Sequence, residues 1–324
     1  MQASSALTSA PPAGGPAVHR FRFHGEGGNL FLLILKNLFL TVITLGVYAA
    51  WARTARRKYI WSNTEISGQR LVYTGTGLEL FKGYLKVLVF YVGFLAIPPL
   101  VNLVVPGSKI PLQILLFVAL IVLIPFAVYW SRAYLLSRTK WRGIQFGLEP
   151  GASQFAKAFL GGYVLVILTL GFYGPLWLNR LRTILLHNTR FGTERFSYDG
   201  TDGEAFRIGL KGMLLSLATL GIYYFWYAAE LNRFIVSHTS FMGARGRSEL
   251  TAGDMFVIVV GSILGTALTL GIAFPWIFVW STQKVLGKIT FEGTVDFALV
   301  AQRAGVGSAT SDALADSLGV ELGL

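Results

Sequence analysis

Three stretches of this chain open with the same tripeptide at positions 169, 219 and 269: Thr169-Leu170-Gly171, Thr219-Leu220-Gly221 and Thr269-Leu270-Gly271. A fourth copy, Thr44-Leu45-Gly46, lies far upstream. Each leads into an aromatic run that reaches a tryptophan, at Trp51, Trp177, Trp226 and Trp276. A fixed period of this size marks a chain that uses one supersecondary unit repeatedly. It also restricts the fold, because whatever one copy does its neighbours must accommodate. A degraded copy, Ile124 to Trp130, lacks the tripeptide and ends a longer apolar hairpin that turns at Pro106-Gly107-Ser108-Lys109.

The copies continue alike. After the tryptophan come basic residues, among them Arg53, Arg56, Arg57 and Lys58, or Arg180 and Arg182. A polar-Thr pair follows: Asn63-Thr64, Arg138-Thr139, Asn188-Thr189 and His238-Thr239. Then comes a glycine, and a short alternating run such as Leu71-Val72-Tyr73-Thr74-Gly75 or Phe196-Ser197-Tyr198-Asp199-Gly200. Period-two alternation closed by Gly reads as a short strand. Phe21-Arg22-Phe23-His24-Gly25 opens the chain with the same pattern, and the copy near Arg247-Ser248 is more polar. The expected units lie near 20–75, 71–147, 144–200, 196–250 and 247–300. A disordered segment over 1–19 precedes them and a flexible tail over 303–324 follows; nothing in the N-terminal segment reads as a cleavable signal peptide.

A glycine after an apolar helix takes the left-handed conformation without a Cβ penalty. Gly46, Gly171, Gly221 and Gly271 are therefore expected at positive φ in tight turns. Pro175 and Pro275 suit the first turn of a second helix, where no amide donor is needed.

The residues Phe21-Arg22-Phe23-His24-Gly25, the Thr-Leu-Gly cores ending in Trp, and Asn63-Thr64 leading to Gly68 and Tyr73-Thr74-Gly75 resemble the YjgN family over roughly residues 20–300. That resemblance implies a bacterial inner-membrane protein of unknown function, and supplies no catalytic or substrate assignment. The chain departs from the pattern at Ala49-Ala50, where the motif often has Pro before Trp, and in the degraded core at 124–130.

The chain is 53% hydrophobic and 14% charged, whereas soluble domains average about 45–50% and about 25%. Six apolar stretches, roughly 30–51, 81–105, 110–130, 155–177, 206–227 and 255–280, approach the about 20 residues of one span. The expected fold class is a polytopic α-helical membrane protein, multi-pass, made of tandem helix-turn-helix-strand repeats with short interfacial β-strands. Two topologies remain open. Single crossings with alternating orientation leave the basic residues almost evenly divided between the two sides. Units that enter and return put nearly all of them on the cytoplasmic side, as positive-inside sorting favours. The net charge of +12 sits beside apolar segments, which points to membrane lipids with anionic headgroups as partners and not to nucleic acid. A protein partner or a second copy of the chain is also compatible.

The absence of cysteine excludes disulfides, thiolate metal sites and a cysteine nucleophile. No phosphate-binding loop, nucleophile elbow or paired-carboxylate motif occurs, so neither an enzyme nor a cofactor is expected. Ionisable residues inside apolar segments are the functional candidates. Lys36 lies deep in the first stretch, and Glu230 and Arg233 share one helix face at i, i+3 spacing. The expected activity is transport, conduction or lipid handling for a small or anionic ligand, with a membrane scaffold that docks a partner as the alternative.

Overall fold

In the computed structural model, which describes residues 17–297 and 300, each Thr-Leu-Gly segment splits its apolar stretch into two helices. The helices are α1 (Gly27–Ile43), α2 (Ala49–Asn63), α3 (Gly77–Val104), α4 (Lys109–Ser137), α5 (Ala152–Leu168), α6 (Gly174–Asn188), α7 (Asp202–Ala218), α8 (Tyr224–Ser237), α9 (Ala252–Leu268) and α10 (Phe274–Leu286). The four tripeptides join α1 to α2, α5 to α6, α7 to α8 and α9 to α10. Gly46, Gly171, Gly221 and Gly271 take φ values of +87° to +94°, and the leucine before each takes φ of +48° to +50°.

The threonine explains why the tripeptide recurs. Thr44 Oγ1 donates to the Leu40 carbonyl at 2.7 Å and accepts from the Tyr48 amide at 2.9 Å. Thr169, Thr219 and Thr269 do the same for Tyr173, Tyr223 and Ala273. One hydroxyl thus holds the end of the first helix and satisfies an amide just ahead of the second, where helix ends otherwise leave backbone groups unpaired.

Every helix pair returns to a strand. These are β1 (Val18–Phe23), β2 (Thr64–Ile66), β3 (Gln69–Arg70), β4 (Val72–Tyr73), β5 (Thr139–Trp141), β6 (Ile144–Leu148), β7 (Thr189–Phe191), β8 (Glu194–Tyr198), β9 (Thr239–Phe241), β10 (Ala244–Ser248) and β11 (Ile289–Glu292). The threonine that starts β2, β5, β7 and β9 donates to the carbonyl four residues back, closing the preceding helix. Ser67-Gly68, Arg142-Gly143 and Met242-Gly243 make two-residue hairpin turns with both residues at positive φ, the turn whose twist matches that of its strands.

All eleven strands form one antiparallel sheet in the order β3-β2-β1-β11-β10-β9-β8-β7-β6-β5-β4. Strand β6 shows how neighbouring units are joined. Its first residues, Ile144 and Gln145, pair with β5, and Phe146, Gly147 and Leu148 pair with β7. The two ends of the order, β3 and β4, are halves of one such strand interrupted at Leu71, with β3 on β2 and β4 on β5. The sheet therefore curls back to where it began and is nearly closed. In the middle of this order the first and last strands meet, where Val18, His19 and Arg20 of β1 pair with Glu292, Phe291 and Thr290 of β11. The helices follow the same circuit, each packed on the next and α10 packed on α1.

Equivalent positions in successive hairpins, Ile66, Trp141, Phe191, Phe241 and Phe291, line the inside of the sheet. Phe297 stacks edge-on against Trp141 at 5.0 Å between centroids, and Val300 is buried in the same cluster.

The expected polytopic α-helical membrane protein, built of tandem repeats with short interfacial β-strands, is not what the chain forms. The strands make an eleven-stranded, nearly closed ring with an aromatic core of its own. Among the described residues only Gly77–Val104 and Lys109–Ser137, with 28 and 29 residues, are long and apolar enough to cross a bilayer. The physical reason is the tripeptide turn. Four of the six apolar stretches are doubled back at their centre, leaving limbs of 13 to 17 residues, or about 20–26 Å at 1.5 Å per residue. The leading segment before residue 17 and the tail after 300 lie outside the described residues.

The helical circuit is sealed where Trp276 on α10 lies against Gly27 on α1. A Cβ at Gly27 would meet the Trp276 Cα at 2.8 Å, whereas one at Gly28 meets nothing within 4 Å. Gly27→Ala is expected to destabilise the protein by about 1–3 kcal/mol through overpacking, read as a lower Tm in detergent. Gly28→Ala should leave Tm within a degree or so of the parent.

Candidate functional site

The stripe Glu204, Arg207, Lys211 recurs at helical spacing along α7, so the three side chains share one face. Thr201 caps this helix by accepting from the Glu204 amide at 3.3 Å. Two acids, Asp202 and Glu204, occupy the first turn, where the helix dipole favours negative charge. Opposite stands α8, with Glu230 and Arg233 turned toward the same space and His238 at its C-cap. Strand β10 closes the third side with Arg247 and Ser248. Between them lies a cavity of about 360 Å³, within the about 300–1,000 Å³ of small-molecule sites. Its floor is apolar, formed by the buried Ile208 and Phe234.

The charges around this cavity are unevenly satisfied. Glu230 forms an ion pair with Lys211 at 2.6 Å, and that hydrogen bond is the main cause holding the Lys211 ammonium above its ordinary pKa. Arg233 Nη1 donates to the Leu250 carbonyl at 2.6 Å. Arg247 Nη1 reaches Glu292 at 3.3 Å. His238 Nδ1 donates to the Phe234 carbonyl at 2.8 Å, which leaves Nε2 facing Glu204 at 3.7 Å. Ser248 Oγ hydrogen-bonds to Asn232 Oδ1 at 2.7 Å. Arg207 is exposed and has no hydrogen-bond or ion-pair partner among the described residues.

Glu230 and Arg233 do come together here, each with its own partner: Lys211 from α7 takes the carboxylate, and Arg233 turns to the backbone of Leu250. Lys36 lies exposed on α1, outside this cavity. The motif glycines Gly46, Gly171, Gly221 and Gly271 are at the helix turns. Of the tryptophans, Trp51 packs on Phe81 at 5.3 Å and Trp276 on Phe31 at 5.1 Å, each joining one helix pair to the next. Trp177 meets Phe159 within its own pair, and Trp226 stacks on Tyr223. Glu204, Arg207 and Arg247 escaped the sequence reading. The signal was the charged stripe of α7, inside a stretch that reads as apolar overall. No cluster of three or more His, Asp or Glu that could hold a metal occurs among the described residues.

A profile for a family described as "Bacterial protein of unknown function (DUF898)" matches residues 18–211, 193–245 and 224–317. The inner membrane protein YjgN of Salmonella typhimurium is 29% identical over 213 residues, which is 55% of this chain and 52% of that protein. The inner membrane protein YjgN of Escherichia coli K12 is 39% identical over 105 residues, 31% of this chain and 26% of that protein. The chain thus spans at most about half the length of these curated relatives. No solved structure matches it.

A double-mutant cycle separates the two possible partners of Glu230. Glu230→Gln and Lys211→Met should show a coupling of about 0.2–1 kcal/mol in thermal melts, the range of exposed ion pairs. Glu230→Gln and Arg233→Met should be additive within error.

Proposed function

The chain belongs to the DUF898 family of bacterial proteins of unknown function, the family of the YjgN inner membrane proteins, and from that premise we propose that it binds the headgroup of an anionic phospholipid in the cavity between α7, α8 and β10. The observation that carries this reading is the exposed, unpartnered Arg207 beside two further arginines, Arg233 and Arg247. Glu230 is paired with Lys211, Glu204 has the His238 ring 3.7 Å away, Arg247 reaches Glu292 and Arg233 donates to a carbonyl. The Arg207 guanidinium is left open to a ligand. A phosphodiester supplies what these groups lack, since guanidinium groups form paired, charge-assisted hydrogen bonds to phosphate oxygens. The apolar floor at Ile208 and Phe234 suits the first carbons of a glycerol backbone.

We read the site as one for binding and not for catalysis. Ser237 stands 3.4 Å from His238 Nδ1, but that nitrogen is committed as a donor to the Phe234 carbonyl and is not free to act as a base. A serine nucleophile needs an adjacent acceptor nitrogen.

Binding of the purified protein to nanodiscs containing phosphatidylglycerol or phosphatidylcholine tests the proposal. Phosphatidylglycerol should be retained preferentially, and Arg207→Ala should weaken that preference by about tenfold, the equivalent of about 1.4 kcal/mol and near the lower end for a charged hydrogen bond. Lys36→Ala, remote from the cavity, should not. Equal retention of both lipids, or an unchanged preference in Arg207→Ala, would remove the proposal.

A further inference from the structure

The four short helix pairs end in one exposed feature. Leu45, Leu170, Leu220 and Leu270 stand at the tips, 88–95% exposed. Each is held at φ near +50°, a conformation that residues with a Cβ seldom adopt. Val47, Phe172, Ile222 and Ile272 beside them are exposed as well. Soluble monomers rarely gather apolar side chains this way, and such a patch marks a partner or a membrane. Because every helix pair leaves the strand ring and returns to it, the tips lie at the end of the molecule remote from the sheet.

The charge nearest each tip limits how deep it can sink. In the α1–α2 pair, Lys36 lies about 10 Å from the end of α1 and Arg53 about 6 Å into α2. In α7–α8 the limits are Lys211 at about 10 Å and Glu230 at about 9 Å. In α5–α6 they are Lys157 at about 16 Å and Arg180 at about 9 Å, and in α9–α10 Asp254 at about 21 Å and Lys284 at about 15 Å. The nearer charge of each pair, about 6 to 15 Å from the tip end, with a few ångströms added for snorkelling lysine and arginine stems, keeps insertion within one leaflet, half of a hydrocarbon core about 30 Å thick. The long pair differs. Helix α3 is free of charge from Val87 to Val104, about 27 Å, and α4 from Ile110 to Ser131, about 33 Å. Helix α3 also outreaches α1 by about 16 Å, the thickness of the second leaflet.

We infer that the protein is seated in one leaflet: the four short helix pairs dip their leucine tips into the acyl chains of the near leaflet and stop near its midplane, and α3–α4 alone crosses to the far side. The occupant of the exposed tips is lipid hydrocarbon. The basic residues on the sheet side of these limits, such as Arg56, Lys58 and Arg195, identify the near leaflet as the cytoplasmic one, rich in anionic lipid. Arg207 lies about 16 Å from the tip end of α7, which sets its cavity at headgroup depth. The inference rests on the membrane location in the preceding reading and does not depend on the headgroup cavity.

The absence of native cysteine permits a direct test on the full chain with Leu45→Cys, Leu220→Cys, Lys109→Cys and Ser197→Cys. An impermeant maleimide should label Lys109→Cys in intact spheroplasts and Ser197→Cys only in inverted vesicles. Leu45→Cys and Leu220→Cys should escape it on both faces, because a thiol in acyl chains stays protonated, yet react fully once the membrane is dissolved in denaturing detergent. A fluorophore placed at either should be quenched most by lipids carrying the quencher at the acyl terminus. Labelling of a tip cysteine from outside would show a complete crossing, and labelling from inside would show no insertion; either overturns the inference. An unlabelled Lys109→Cys in spheroplasts would overturn the crossing of α3–α4. Loss of lipid preference in Arg207→Ala moves none of these labels, so the two readings fail separately.

Discussion

The structure depends on its short strands pairing into one continuous sheet, in which β1, β2 and β5 to β11 each have a partner on both sides and β3 and β4, at the ends of the order, have one each. Strands of two to six residues are not stable alone, and even a complete hairpin is marginal in water. Here the pairing runs round until β3 and β4, two halves of one strand, bring the sheet back on itself. In the middle of the order Val18–Arg20 pair with Thr290–Glu292, so the two ends of the described chain hold each other. Open edges would invite pairing with other chains, and the near-closure leaves only the short strands β3 and β4 with one side unpaired among the described residues. The same contact places α1 against α10, and the helical circuit is completed with the sheet.

Closure also accounts for where the aromatic residues went. Alternation along each strand turns one side inward, and equivalent inward positions carry Trp141, Phe191, Phe241 and Phe291. Trp141 meets Phe191 at 5.4 Å and Phe191 meets Phe241 at 6.0 Å, with Phe196 on Phe241 at 4.8 Å, in tilted and edge-on pairs, the arrangements that aromatic quadrupoles favour. The fifth position is Ile66, and the chain after β11 adds Phe297 to the same interior, where Arg142 lies over its ring.

The helix tips face the opposite demand. A turn that doubles an apolar segment back leaves backbone groups to satisfy, and in each copy one threonine hydroxyl takes a share of them. That economy frees the tip from needing water. From mid-helix toward the sheet the helices carry cations and acids, and the pairs Lys211–Glu230 and Arg180–Asp202 bridge neighbouring helices. The molecule is thus graded from an apolar end to a charged one, with the cavity at Arg207 on the charged side.

Local chemistry was legible in the residues themselves. Positive φ at Gly46, Gly171, Gly221 and Gly271 follows from a glycine after an apolar helix, and the strand at 196–198 follows from alternation ending in Gly200, because both depend only on near neighbours. The same holds for the helix starts at Pro175 and Pro275. The number of membrane-crossing helices was not legible: the glycine turns were expected, but hydropathy summed along 30–51 or 206–227 does not give the length of the limbs on either side of them. Nor was the partner of Glu230: Arg233 is nearer in sequence, but Lys211 arrives from the adjacent helix once α7 and α8 pack. What the sequence by itself determined was the turn, the helix limbs and the closing strand of each unit; the strand that precedes it, such as Thr189–Phe191, is set by pairing. Only the tertiary structure decided that the strands curl into a nearly closed ring through the pairing of β1 with β11, since that pairing joins residues more than 250 positions apart and backbone hydrogen bonds leave no side-chain signature of who their partner is.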